Sequence, residues 1–134
     1  MNYLIDTSAY SLGYWGEKTA VHFFQIADRL LISPIALGEL RHGALIGTKR
    51  EANEAGLQRF LSEHRVQVVN IDEETSFFYA QVKAATGKKG TTVAANDLWI
   101  AASAMQHGLC ILTADTDFQK IPQVLVELIT SESV

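Results

Sequence analysis

The sequence predicts an α/β fold in which helices pack around a mostly parallel central sheet. Three observations predict it. Short apolar runs recur at Tyr3-Leu4-Ile5, Leu30-Leu31-Ile32 and Leu109-Cys110-Ile111-Leu112. They are too brief for helices, and they lack the alternation of half-exposed strands, so they read as strands buried on both faces. Stretches with apolar residues at helical spacing separate them. Finally, a carboxylate stands where the first run ends, at Asp6, and another just past the last of the three, at Asp115. In an open parallel sheet that edge is where ligands bind.

The elements follow in order. Asp6-Thr7-Ser8 suits the cap of a helix starting near Ser8 as well as it suits a functional site. Glu17 to Asp28 places Ala20, Phe23, Phe24 and Ala27 on one stripe of a helix. Leu30 to Ser33 is the second strand, and Ser33-Pro34 starts a helix with a serine cap and proline in its first position, running toward Gly47. A polar helix from about Thr48 to His64 buries Leu57, Phe60 and Leu61. Val66 to Ile71 is the third strand, and Asp72 caps a helix that reaches about Thr86. Gly87-Lys88-Lys89-Gly90-Thr91-Thr92 reads as a flexible basic loop. Ala94 to His107 is a helix closed by Gly108. Leu109 to Thr113 is the fourth strand, Ala114 to Phe118 a polar turn, and Val124 to Ile129 the last strand.

The 134 residues suit one domain, spanning 1–134, and 48% hydrophobic content with two prolines argues against disorder. No apolar run reaches the roughly 18 residues of a membrane span, and the first residues lack the basic segment and long apolar stretch expected of a signal peptide. A cytoplasmic protein is the expectation. Cys110 is the lone cysteine and reads as a buried structural thiol. His107 reads as a helix C-terminal residue that complements the dipole. The net charge of −4 comes from 15 acidic and 11 basic residues. Setting aside Asp6, Glu39, Asp97 and Asp115 leaves 11 of each, so the excess equals one four-carboxylate site.

Those four acids carry the functional reading. Glu39 sits between Leu37 and Leu40 on the helix after strand two. Asp97 is the strongest of them. Its helix, Ala94-Ala95-Asn96-Asp97-Leu98-Trp99-Ile100-Ala101-Ala102, is apolar almost all round. The helix dipole favours a carboxylate there, yet burying it unpaired is costly. No lysine or arginine lies within a helical turn, so a metal ion or a distant basic side chain must answer it. Asp115 and Asp117 share the turn after strand four, with Asp115 the expected ligand and Asp117 the reserve. Four carboxylates crowded without a cation repel one another. Oxygen-only ligands point to Mg²⁺ or Mn²⁺, and no histidine pair or cysteine is spaced for zinc. Such a site can activate water for phosphodiester hydrolysis. Thr7, Ser8, Asn96 and Thr113 flank the acids, either as solvated turn residues or as groups that orient water or a carboxylate. Arg41, Lys88 and Lys89 are the candidates for holding substrate phosphates. Glu17, at the start of the first long helix, is expected to be dispensable for activity and stability alike.

The segments Tyr3-Leu4-Ile5-Asp6-Thr7-Ser8, Gly38-Glu39-Leu40-Arg41-His42-Gly43, Asn96-Asp97-Leu98-Trp99-Ile100-Ala101-Ala102 and Leu112-Thr113-Ala114-Asp115-Thr116-Asp117-Phe118 resemble a PIN domain, specifically the VapC-type toxin ribonucleases of bacterial toxin–antitoxin pairs. The resemblance covers the whole chain in order. It implies a three-layer α/β/α sandwich, a Mg²⁺- or Mn²⁺-dependent endoribonuclease, a homodimer, and a cognate antitoxin that inserts a segment into the active-site groove. Carried over by position, Asp6, Glu39, Asp97 and Asp115 are the metal ligands and Thr113 their hydroxyl neighbour. Two other readings of Asp6 fare worse. A haloacid-dehalogenase-type phosphatase needs a second aspartate two residues on, where this chain has Ser8. A receiver domain needs an acidic pair near strand one and a late strand-end lysine, both missing. The non-enzymatic alternative is a PIN-like module that binds RNA or a partner without cutting.

Overall fold

Residues 1–130 are described by a computed structural model. Five strands form one sheet: β1 (Asn2–Ile5), β2 (Arg29–Ile32), β3 (Val66–Val68), β4 (Cys110–Thr113) and β5 (Leu125–Leu128). Their order is β3-β2-β1-β4-β5, and every pairing is parallel. The mostly parallel sheet expected from the apolar runs is therefore parallel throughout. β1 is central, with Ile5 opposite Ile32 on one side and Leu112 on the other. Leu4, Ile5, Ile111 and Leu112 are fully buried, as continuous apolar strands require.

Helices α1 (Thr7–Tyr14) and α2 (Lys18–Ile26) join β1 to β2, and α3 (Pro34–Ile46) and α4 (Arg50–Leu61) join β2 to β3. Helices α5 (Glu73–Lys88) and α6 (Ala95–His107) carry the chain back across the sheet to β4. Parallel crossovers are right-handed, so reversing the direction of winding puts α5 and α6 on the face opposite α1–α4. That reversal makes the gap between β1 and β4 a topological switch point, where the connections leave in opposite directions and a crevice opens.

Local chemistry explains the boundaries. Ser33 caps α3 by accepting from the Ile35 amide at 3.0 Å, with Pro34 behind it. Asp72 caps α5 in a reciprocal capping box with Thr75. Gly108 ends α6 with φ +64°, a left-handed conformation that favours glycine. Trp99 on α6 stacks on Tyr79 of α5 at 4.1 Å between ring centroids.

Four expectations need correction. The third strand ends at Val68 rather than Ile71, because β3 is a sheet edge and the chain turns off it to reach the Asp72 cap. The basic loop begins later than Gly87. Helix α5 runs through Gly87 to Lys88, and Lys89 is its C-cap. The turn after β4 is a 3-10 helix, Thr116–Lys120, pinned by the fully buried Phe118. Glu17 is not within a helix but caps α2, accepting from the amides of Thr19 at 3.1 Å and Ala20 at 2.8 Å. Those backbone donors hold its carboxyl below the ordinary value. Glu17 thus caps α2, and removing its carboxylate is expected to cost stability.

Candidate active site

The C-terminal ends of β1 and β4 meet in a hydrogen-bonded network around Asp6. The residue is buried, and three donors reach its carboxylate: Ser8 Oγ at 2.8 Å and the Ala9 amide at 2.9 Å on Oδ1, and Thr113 Oγ1 at 2.6 Å on Oδ2. The helix cap and the functional position are the same residue, since the Ala9 bond caps α1. A carboxylate accepts at about four lone-pair positions, so one remains on Oδ2. Ser8 also accepts from the Ala114 amide at 2.9 Å, and Thr113 from the Asp115 amide at 2.9 Å. The two hydroxyls therefore fix both the first acid and the backbone that presents the later ones. Thr113 is fully buried and Ser8 is half-buried, which removes the solvated-turn reading for both. Asp6, held on both oxygens, is poorly placed as a covalent nucleophile.

Asp97 stands in the first turn of α6, half-buried. Burial, reinforced by the negative charges of Asp115, Asp6, Glu39 and Asp117, pushes its carboxyl up to about 6. Carboxylate oxygens of Asp97, Asp115 and Asp117 all lie within 4.8 Å of one another. Asp6 and Glu39 stand outside that tight trio, near enough for their charges to act on Asp97. Glu39, exposed on α3, accepts from Asn96 Nδ2 at 3.2 Å, so Asn96 orients a carboxylate.

The aspartate held in reserve belongs to the trio as much as Asp115 does. Asp115 caps the 3-10 helix by accepting from the Asp117 amide at 2.9 Å. That tight turn, anchored by Phe118, brings both carboxylates to the same place. The Asp-Thr-Asp-Phe pattern carries this signal once an apolar residue after the second acid is read as an anchor. Sequence reasoning also missed Lys120, whose ammonium lies 2.8 Å from Asp117 Oδ1 and is raised by that contact and by the Asp115 charge. It answers Asp117 and not Asp97, on which burial and four neighbouring acids act.

The proposed phosphate-binding residues fare differently. Arg41 is tied through Nε to Glu54 Oε1 at 3.1 Å and lines a cavity beside Glu39 and Thr7. Lys88 and Lys89 are exposed at the end of α5, and among the described residues no ion pair joins them to the acidic cluster. Cys110 is buried, and burial raises its thiol, which makes it inert. His107 occupies the last turn of α6. No helix among the described residues is long and apolar enough to cross a membrane.

Comparison with known proteins agrees with this geometry. The family model described as PIN domain matches residues 3–124. Ribonuclease VapC4 of Mycobacterium tuberculosis is 37% identical over 95 residues, covering 71% of this chain and 73% of its own. The tRNA(fMet)-specific endonuclease VapC of Salmonella typhimurium is 29% identical over 130 residues, covering 95% and 97%. Among solved structures, the DNA-bound VapBC complex of Salmonella typhimurium superposes with a TM-score of 0.83 at 29% identity, over 95% of this chain and 97% of that one. VapBC2 of Rickettsia felis, at 24% identity and a TM-score of 0.88 over 97% and 100%, shares the fold. With a family match over nearly its whole length and acids gathered at the switch point of a parallel sheet, the chain belongs to the PIN domain family, among the VapC-type ribonucleases.

Proposed function

We propose that this protein is a Mg²⁺- or Mn²⁺-dependent endoribonuclease, the toxin of a toxin–antitoxin pair, acting in the cytoplasm. The observation that carries the reading is Asp97, a half-buried carboxylate set among Asp115, Asp117, Asp6 and Glu39. Such crowding of like charges is costly unless a cation sits among them. The donor set fits a hard divalent ion: oxygen only, with no histidine or cysteine in the group.

Asp97, Asp115 and Asp117 would hold the ion, with Asp6 and Glu39 completing the acidic set around it. When bound, the ion supplies a Lewis acid for the scissile phosphate and lowers the pKa of a water that attacks it. The chain's own residues do the rest. Thr113 and Ser8 lock Asp6, so that its remaining lone pair keeps one direction. Asn96 steadies Glu39, an exposed carboxylate free to accept a proton from an attacking water. Lys120 offsets charge on Asp117 and stands at the rim, where substrate phosphates approach. The cognate antitoxin would inhibit by inserting a segment beside these acids, and the protein would act as a homodimer.

The test is cleavage of RNA by purified, antitoxin-free protein with Mg²⁺, with Mn²⁺ and with excess chelator, alongside Asp6→Asn. Cuts that require metal and vanish in the variant are expected. Metal binding without any cut in transfer, ribosomal or messenger RNA would instead favour a binding module that has kept its acids.

A further inference from the structure

A cavity of about 350 Å³ opens between α1, α3 and α4, and two of its lining residues, Thr7 and Glu39, belong to the catalytic edge. Whatever fills it lies beside Thr7 and Glu39. At its wall, α1 ends in Tyr14 and Trp15, whose rings meet edge to face at 5.3 Å. Trp15 is 70% exposed beside the site, with the Lys49 ammonium 5.8 Å from its ring centroid on one side.

Two polar atoms of the lining are unanswered. Glu54 gives Oε1 to Arg41, while its Oε2 is buried with no donor. The hydroxyl of Tyr10, a residue 7% exposed, is also buried without a partner. A buried acceptor without a donor is expensive, and native structures keep few of them. Glu54 lines the cavity, so a donor entering it can reach an acceptor that has none.

We infer that this cavity receives one unstacked RNA base next to the scissile phosphate, with Trp15 and Tyr14 as stacking walls and Glu54 as the hydrogen-bond acceptor that reads it. The inference rests on the ribonuclease reading above and adds its sequence preference. Its size favours a base over a peptide helix, being at the small end of ligand cavities, about 300–1,000 Å³. Exposed aromatic rings are the usual platform for splayed-out bases of single-stranded RNA. An ionised carboxylate can only accept. Guanine offers it two adjacent N–H edges, N1 and N2, and adenine and cytosine offer an amino group. Uracil presents a single N–H flanked by carbonyl oxygens that the carboxylate repels. Guanine should therefore be preferred and uracil rejected.

The experiment maps the base beside every cut in a mixed-sequence RNA for the wild type, Glu54→Gln and Trp15→Ala, with metal binding measured in parallel. Guanine should be enriched and uracil depleted in the wild type. Glu54→Gln, whose amide both donates and accepts, should reduce that discrimination about tenfold while leaving metal affinity unchanged. Trp15→Ala should raise KM more than it lowers kcat. An unchanged base profile in Glu54→Gln would overturn the inference. So would a variant that loses only antitoxin binding, which would assign the cavity to a protein segment. If the wild type cuts no RNA, the ribonuclease reading fails by itself, and the cavity is judged by nuclear magnetic resonance. There the Trp15 indole signal, assigned with Trp15→Phe, should shift saturably with GMP, weakly with UMP, and not with GMP in Glu54→Gln. No shift with GMP would refute it.

Discussion

At the scale of single residues, Asp97 links stability to metal binding. Its carboxyl titrates at about 6 when folded, against an ordinary value of 3.8, so the folded chain holds that proton more tightly than the unfolded one. The metal-free protein should therefore gain stability as pH falls from above 6 toward 4, and lose it again on return. Asp97→Asn removes the charge and should flatten that part of the profile, melting higher than wild type at pH 7.5 without metal. The same change should reduce RNA cleavage on the order of a thousandfold, by analogy with the loss of other charge-stabilising groups. An Asp97→Asn protein that cuts RNA like wild type would refute the metal-site assignment. Thr113 is the second lever. Thr113→Val keeps the shape but strips Asp6 and the Asp115 amide of their shared hydroxyl. Activity should drop about tenfold to a hundredfold, as for other partners of metal ligands, and Thr113→Ser should restore most of it.

At the scale of elements, the sequence was most readable where one physical signal dominated. Ser33-Pro34 marked the start of α3, and the structure shows that cap in place. Ser33→Ala should cost about 1 kcal/mol in denaturant unfolding with metal affinity unchanged. Gly108→Ala should cost a similar amount, because alanine strains at φ +64°. Signals that compete locally were harder to read. Gly87 looked like a breaker, but an exposed glycine inside a helix costs only about 1 kcal/mol relative to alanine, and α5 continues through it. The Asp115–Asp117 turn hid a 3-10 helix because what fixes it is the burial of Phe118, a tertiary fact. The acids themselves were legible as exceptions to an apolar pattern. Their partner Ser8 was legible only as one of two readings and Lys120 not at all, since hydroxyls and lysines in turns have many ordinary reasons to be there.

At the scale of the whole molecule, the net charge of −4 is concentrated in consequence, if not in number, at one sheet edge. A divalent ion should therefore act as a structural ligand as well as a cofactor. Mg²⁺ at about 100 times its dissociation constant should stabilise the fold by about 2.7 kcal/mol at pH 7.5. The gain should shrink at pH 5, where Asp97 competes for a proton, and thermal unfolding with and without chelator measures it. Equal stabilisation at both pH values would place the ion away from Asp97.

The bond from Thr113 to Asp6 spans 107 positions of sequence, and β4, which supplies it, pairs directly with the first strand of the chain. A ribosome making this protein thus releases Asp6, Ser8 and Ala9 long before Thr113 and the acids that follow it. Until β4 has emerged and docked, the nascent chain holds an isolated aspartate with no trio opposite it. A nuclease wired this way should stay inactive until β4 has docked, and a copy terminated before β4 should cut no RNA.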